Sequence, residues 1–272
     1  MKDKNRVKRL KAEVEQVRGW RAQNEFLRRI KKILMRYSDR NYRKSVKRFV
    51  PGAGRHYGVR IPHLRAISNV LGKDALTRPG KYFSLLPALW NEGSREEKLL
   101  TSGILNRLAE VEPKRCLALT LKLARRIDNW EINDSLGGGV MRVLVREQKK
   151  AVLSRLAAMM KNRNPWVRRF GVVSLVGLAH DKNRKHHREI LSALNKMMLE
   201  NDRNVKMGIS WILRDSTWQN RQGMYQFLKD WVSKGDRNTH WIIRDGMSKL
   251  KPEQQLNLKL AMGKAKLRGA GG

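Results

Sequence analysis

Cysteine is nearly missing from this 272-residue chain, where Cys116 stands alone. One thiol closes no intramolecular disulfide and cannot build a cysteine-rich zinc site. The six histidines make no better metal case. His180, His186 and His187 fall together in "AHDKNRKHHRE", but their spacing matches no ligand motif and the basic neighbours repel a cation, so the segment reads as a solvated basic turn. No metal and no other cofactor is expected. Long apolar runs are absent too. Nothing approaches the roughly 18 residues of a spanning helix, and the opening "MKDKNRVKRLKAEVEQ" lacks the apolar centre of a signal peptide. The expectation is a soluble, intracellular protein with no membrane partner.

Acidic residues are the other scarcity. Asp and Glu number 24 against 60 Lys and Arg, a formal charge of +36. Such an excess calls for a polyanionic partner, and nucleic acid comes first because each phosphate neutralised releases a counterion. With 40% hydrophobic residues the chain can still bury a continuous core.

Strand-like alternation is nearly absent, and helix periodicity dominates after about residue 20. The few prolines mark helix starts: Pro62 in "RIPHLRAI" and Pro165 in "RNPWVRRF" sit where a first turn belongs. Candidate caps recur. They are Ser94 in "GSREEKLL", with Glu97 completing a capping box, Asn129 in "DNWEIND", Asn164 in "RNPWVRR", Asp202 in "NDRNVKM" and Thr239 in "NTHWIIR". They stand 35, 35, 38 and 37 residues apart, with second helical segments such as "EPKRCLALTLKLARR" between them. A helical-pair repeat of this length predicts an all-α superhelix, a solenoid with a concave basic face. Residues 1–24 read as a basic, partly helical arm, 25–250 as the repeat domain, and 251–272 as a basic helix end and tail, with neither end needed for the core.

Within that frame, Trp130 and Asp134 are an i, i+4 pair sharing one helix face. Taken alone the pair can simply pack, a Trp half in the core and an Asp near a favourable helix N-terminus. In "NPWVRRFGVVSLVGLA" the apolar face leaves Arg168 and Arg169 to point elsewhere, either to solvent or, from Arg169, to a phosphate. Met207, Trp211 and Arg214 form a stripe open to both core packing and ligand contact, with Gly208 and Ser210 permitting close backbone approach. The triple glycine Gly137–Gly139 lacks the Lys-Ser/Thr of a P-loop and reads as a device for close helix packing.

In order and spacing these pieces resemble the AlkD-like DNA alkylation repair family, the HEAT-like-repeat DNA glycosylases, from about residue 26 to 250. The residues that carry the resemblance are "YGVRIPHLRAI", "LWNEGSREEKLLTSGIL", the Trp-x-x-x-Asp of "NWEINDS", the Trp-x-x-Arg of "NPWVRRFGVV", "KMGISWILRD" and "WIIRDGMSKL". The resemblance implies that Trp130, Asp134 and Trp211 surround a modified nucleotide as catalytic residues, with Arg169 at a phosphate. It implies excision of cationic alkylpurines such as 3-methyladenine and 7-methylguanine from duplex DNA, without obligatory base flipping, by a monomeric enzyme of the cytoplasm and nucleoid. Arg168, Arg203, Lys206, Arg214 and Arg244 join Arg169 as the expected DNA contacts. The segment "DRNVKM" is polar where the family has aromatic residues, which throws more of the DNA contact onto Arg203, Asn204 and Lys206. The rival readings are a non-catalytic DNA-binding member of the same fold, an RNA- or ribosome-binding solenoid and, last, a protein-binding scaffold.

Overall fold

Side-chain caps set the helix frame. Asn129 accepts from the Ile132 N–H at 3.1 Å, Asn164 from Trp166 at 2.9 Å, and Asp202 from Asn204 and Val205 at 2.8 and 3.0 Å. Ser94 and Glu97 complete the expected capping box. The last cap differs from expectation. Asp236, not Thr239, starts the helix Arg237–Gly246, accepting from the Thr239 N–H at 2.8 Å. A carboxylate outcompetes a hydroxyl at this position, and the Thr239 hydroxyl turns inward to donate to the Met198 carbonyl at 2.7 Å.

The computed structural model describes residues 2–147, 149–183 and 185–269, and it is an all-α helical repeat with no strand among them. No helix among the described residues is long and apolar enough to cross a membrane. The chain divides into two compact units, Met1–Leu144 and Val145–Gly272. In the first, the helices Ile61–Thr77 and Arg95–Leu108 and the segment Trp130–Val140 stack in order, with Pro79–Asn91 and Pro113–Ala124 packed beside them. In the second, Pro165–Val173, Arg203–Ser216 and Arg237–Gly246 stack in the same way, and the helix Pro252–Gly269 lies along Arg221–Lys234.

Both ends contribute to the core. The helix Lys2–Val17, expected as an arm, packs on Ile61–Thr77. Its charge-dense sequence still places Leu10, Val14 and Val17 on one face at i, i+4, i+7, and all three are buried. Trp20 continues that contact, edge-on to Phe26 and Tyr82 at 5.3 and 6.3 Å. At the other end Leu258 and Met262 are buried, and the expected tail at 270–272 lies outside the described residues. His186 also departs from its solvated reading. It is buried, with Nε2 3.3 Å from Asp181 and Nδ1 3.1 Å from Lys149, while His187 begins the helix His187–Asn195.

The first unit is fastened by Arg95, which is 1% exposed. Its Nε and Nη2 donate to the two Glu131 oxygens at 2.5 and 2.6 Å, its Nη1 lies 3.3 Å from Glu96, and the plane sits 5.8 Å from the Tyr42 ring centre. Glu96, equally buried, accepts from the backbone N–H groups of Tyr57, Gly58 and Val59 at 3.0, 3.0 and 3.1 Å. Gly58 has φ +82°, and a Cβ there would stand 2.6 Å from that of Arg43, so no other residue fits. The "YGV" and "REE" motifs are thus one device, a loop held by a carboxylate whose neighbouring guanidinium grips the Trp130–Asp134 helix. Arg95→Met should leave the buried Glu96 and the half-buried Glu131 without their cation. The expected loss is about 3–5 kcal/mol in equilibrium denaturation, and an unchanged unfolding midpoint would contradict this role.

Candidate active site

Asn129 caps the short helix Trp130–Asp134, which places Trp130 in its first turn and Asp134 one turn later on the same face. The chain then widens. Ser135–Val140 form a π-helical turn in which the Met141 N–H reaches the Leu136 carbonyl, five positions back. Asp134 is therefore the last residue before an irregular turn of the kind that often marks functional positions. Close helix packing does not explain the whole glycine run, because a Cβ added at Gly139 would meet nothing within 4 Å. The poor α-helix propensity of glycine instead lowers the cost of leaving α geometry here.

Trp130 and Asp134 line a cleft of about 520 Å³ between the helices Ile61–Thr77, Arg95–Leu108 and Trp130–Asp134. The first two helices approach closely: a Cβ on Gly103 would stand 2.5 Å from Ser68 Oγ. Ser135 Oγ bonds Ser102 Oγ at 2.8 Å and ties the third element to the second. Trp130 is 37% exposed, and its indole N–H donates to the Phe49 carbonyl at 3.2 Å, which fixes the ring while leaving it accessible. Asp134 is half-buried. Arg65, Asn69 and Arg107 line the same cleft, with Arg107 donating to Asn69 Oδ1 at 3.2 Å. Glu131 borders it too, but its carboxylate is committed to Arg95.

The remaining expected site residues lie in the second unit. Trp211 is half-buried on Arg203–Ser216, its indole N–H donating to Asp215 at 2.7 Å. Arg169 is turned inward rather than toward solvent. It is 4% exposed, it donates from Nη1 to the Asn204 carbonyl at 2.5 Å, and its side chain runs close beside Gly208. Arg168 grips Glu200 through Nε and Nη2 at 2.7 and 3.0 Å, and Arg214 is paired with Asp245. Lys206 donates to Asn238 at 2.7 Å and lies 5.4 Å from the Trp241 ring centre. Arg203 and Arg244 are exposed.

Three residues escaped the sequence reading. Arg65 was visible as an arginine in an apolar helix with no acid three or four positions away, and Arg107 enters the cleft only through stacking. Asp215 was visible as a repeat of the Trp-x-x-x-Asp spacing, which recurs at Trp211/Asp215 and Trp241/Asp245. Burial would push the Asp215 carboxyl up, but hydrogen bonds from Lys249, His180 and Trp211 outweigh it and hold the group below the usual carboxylate range.

A thiol nucleophile is excluded. Cys116 is fully buried, and burial, helped by the Glu112 charge, pushes its pKa up to about 12. The folded protein should therefore resist a thiol-reactive disulfide reagent at neutral pH and react fully once unfolded. Rapid labelling of the native state would contradict this placement.

Comparison with curated proteins gives no match. A family model for DNA alkylation repair enzymes matches residues 30–250, a span that holds the cleft, the Arg95 knot and the Arg203–Ser216 helix together with most of the chain. The chain belongs to the DNA alkylation repair enzyme family.

Proposed function

We propose that this protein is a DNA glycosylase that hydrolyses the N-glycosidic bond of cationic alkylated purines, 3-methyladenine and 7-methylguanine, in duplex DNA and without obligatory base flipping. The observation that carries the reading is the pairing of Trp130 with Asp134 in one open cleft whose only other acid, Glu131, is held by Arg95. A purine alkylated at N3 or N7 already bears positive charge. When its bond to C1′ breaks, the electron pair neutralises it, so departure needs no strong general acid. Charge then develops on the sugar, as in glycoside hydrolysis.

A single carboxylate suits that chemistry. Asp134 stabilises the oxocarbenium-like sugar and orients the water that adds to C1′, taking up the proton the water gives up. The indole face of Trp130 attracts the cationic sugar and base, and the family resemblance assigns Trp211 to the modified nucleotide as well. Arg65 and Arg107 bind phosphates beside the cleft, and the exposed Arg203 and Arg244 add contacts along the DNA. Arg168 and Arg214 are set aside as contacts because their charges are already paired.

Wild-type protein should release free 7-methylguanine from a methylated duplex. Asp134→Asn should slow release by about 10²–10³-fold, the scale of losing one charge-stabilising group, with DNA affinity nearly kept. Equal release by the variant overturns the mechanism, and tight binding without release by wild type favours a non-catalytic binder. Arg65→Ala should weaken binding to all duplexes alike and lower the salt slope of log K by about one. An unchanged slope removes Arg65 from the interface.

A further inference from the structure

Tryptophan χ2 is a broad torsion, so a half-buried indole keeps a defined face only if something holds its edge. Trp211 is held unusually firmly. Its N–H donates to Asp215 Oδ2 at 2.7 Å, one turn on along the same helix. His180 Nε2 reaches that same oxygen at 2.8 Å, and Lys249 Nζ reaches Oδ1 at 2.8 Å. These partners come from two further elements, the end of the helix Val176–Ala179 and the 3₁₀ turn Met247–Lys249. The carboxylate is only 15% exposed and both of its oxygens are already occupied. It offers no charge to a ligand. What it offers is a fixed anchor for one indole edge, braced from three directions.

We propose that Asp215 is the positioning residue for Trp211, locking the indole through its N–H so that the ring presents one orientation to the nucleic acid. The inference rests on the reading of Trp211 as a contact of the modified nucleotide, and deepens it. A mere surface indole has its N–H satisfied by water at little cost. An ion-paired acceptor drawing on three elements instead fixes the ring before DNA arrives, which removes an ordering cost from the bound state. Trp130 meets the same need differently, through the Phe49 carbonyl, so both indoles assigned to the lesion are gripped by the ring N–H.

The test uses the full chain and four variants: Asp215→Ala, Asp215→Asn, Trp211→Phe and the double variant Asp215→Ala/Trp211→Phe. Asparagine keeps an acceptor for the indole while losing the Lys249 ion pair, and alanine loses everything. Two-dimensional NMR of the indole N–H groups, with Trp211 assigned by its loss in Trp211→Phe, should show the Trp211 signal moved or broadened in Asp215→Ala and retained in Asp215→Asn. Single-turnover release of 7-methylguanine should fall about ten- to a hundredfold in Asp215→Ala with duplex affinity little changed, and should recover in Asp215→Asn. The double variant should be no slower than Trp211→Phe, the signature of two residues acting as one. An unmoved Trp211 signal in Asp215→Ala overturns the proposal, as does a double variant slower than Trp211→Phe by the full factor of the single alanine change. If wild type releases no base, the glycosylase reading fails while the indole signal still decides whether Asp215 holds the ring. If Asp215→Ala does not fold, Asp215→Asn decides: a shifted Trp211 signal there, with release lost, overturns the proposal.

Discussion

A guanidinium without water must be satisfied completely, and the way Arg95 is satisfied shapes everything around the cleft. Burial opposes its charge, yet the bidentate bond to Glu131 and the nearby Glu96 outweigh burial and raise its pKa further. Through those two acids the cation joins three separated pieces of chain: the loop at Tyr57–Val59, the start of the Arg95–Leu108 helix and the short Trp130–Asp134 helix. Glu131 is thereby withdrawn from chemistry. Asp134, one turn on, lines the cleft, whose proposed reaction needs a single carboxylate.

The same logic recurs down the chain at a regular interval. Ser102 meets Ser135, Arg95 meets Glu131, Arg168 meets Glu200, Arg169 meets the Asn204 carbonyl, Lys206 meets Asn238, and Arg214 meets Asp245. Each partner lies 31 to 36 residues along, one repeat away, because stacking brings each residue beside its counterpart in the next helical pair. Three of the scarce acids, Glu131, Glu200 and Asp245, serve these joints. The cations left over, Arg65, Arg107, Arg203 and Arg244 among them, are the ones available to a polyanion.

This interval explains what the sequence reading could and could not see. Caps and first-turn prolines are local, satisfied within three residues by their own helix, and Ser94, Asn129, Asn164, Asp202, Pro62 and Pro165 all stand where their motifs placed them. Trp130 and Asp134 were legible because one helical turn puts them on one face. The orientation of an arginine depends on a partner a whole repeat away, and so the pairing of Arg168 with Glu200 and of Arg214 with Asp245 could not be read from their own helices. The N-terminal helix was read as an arm because its charges hide a three-residue apolar stripe. The π-helical turn after Asp134 has no period of its own to detect.

The central claim is that the Asp134 carboxylate stabilises positive charge on the sugar. Transition-state mimics report that directly. Duplexes containing a cationic pyrrolidine or a neutral tetrahydrofuran in place of one deoxyribose differ chiefly in that charge, and their relative affinities report it. Wild-type protein should prefer the cationic duplex, and Asp134→Asn should lose the preference while binding the neutral one as before. An equal preference in both proteins would show that the carboxylate does not act on the sugar.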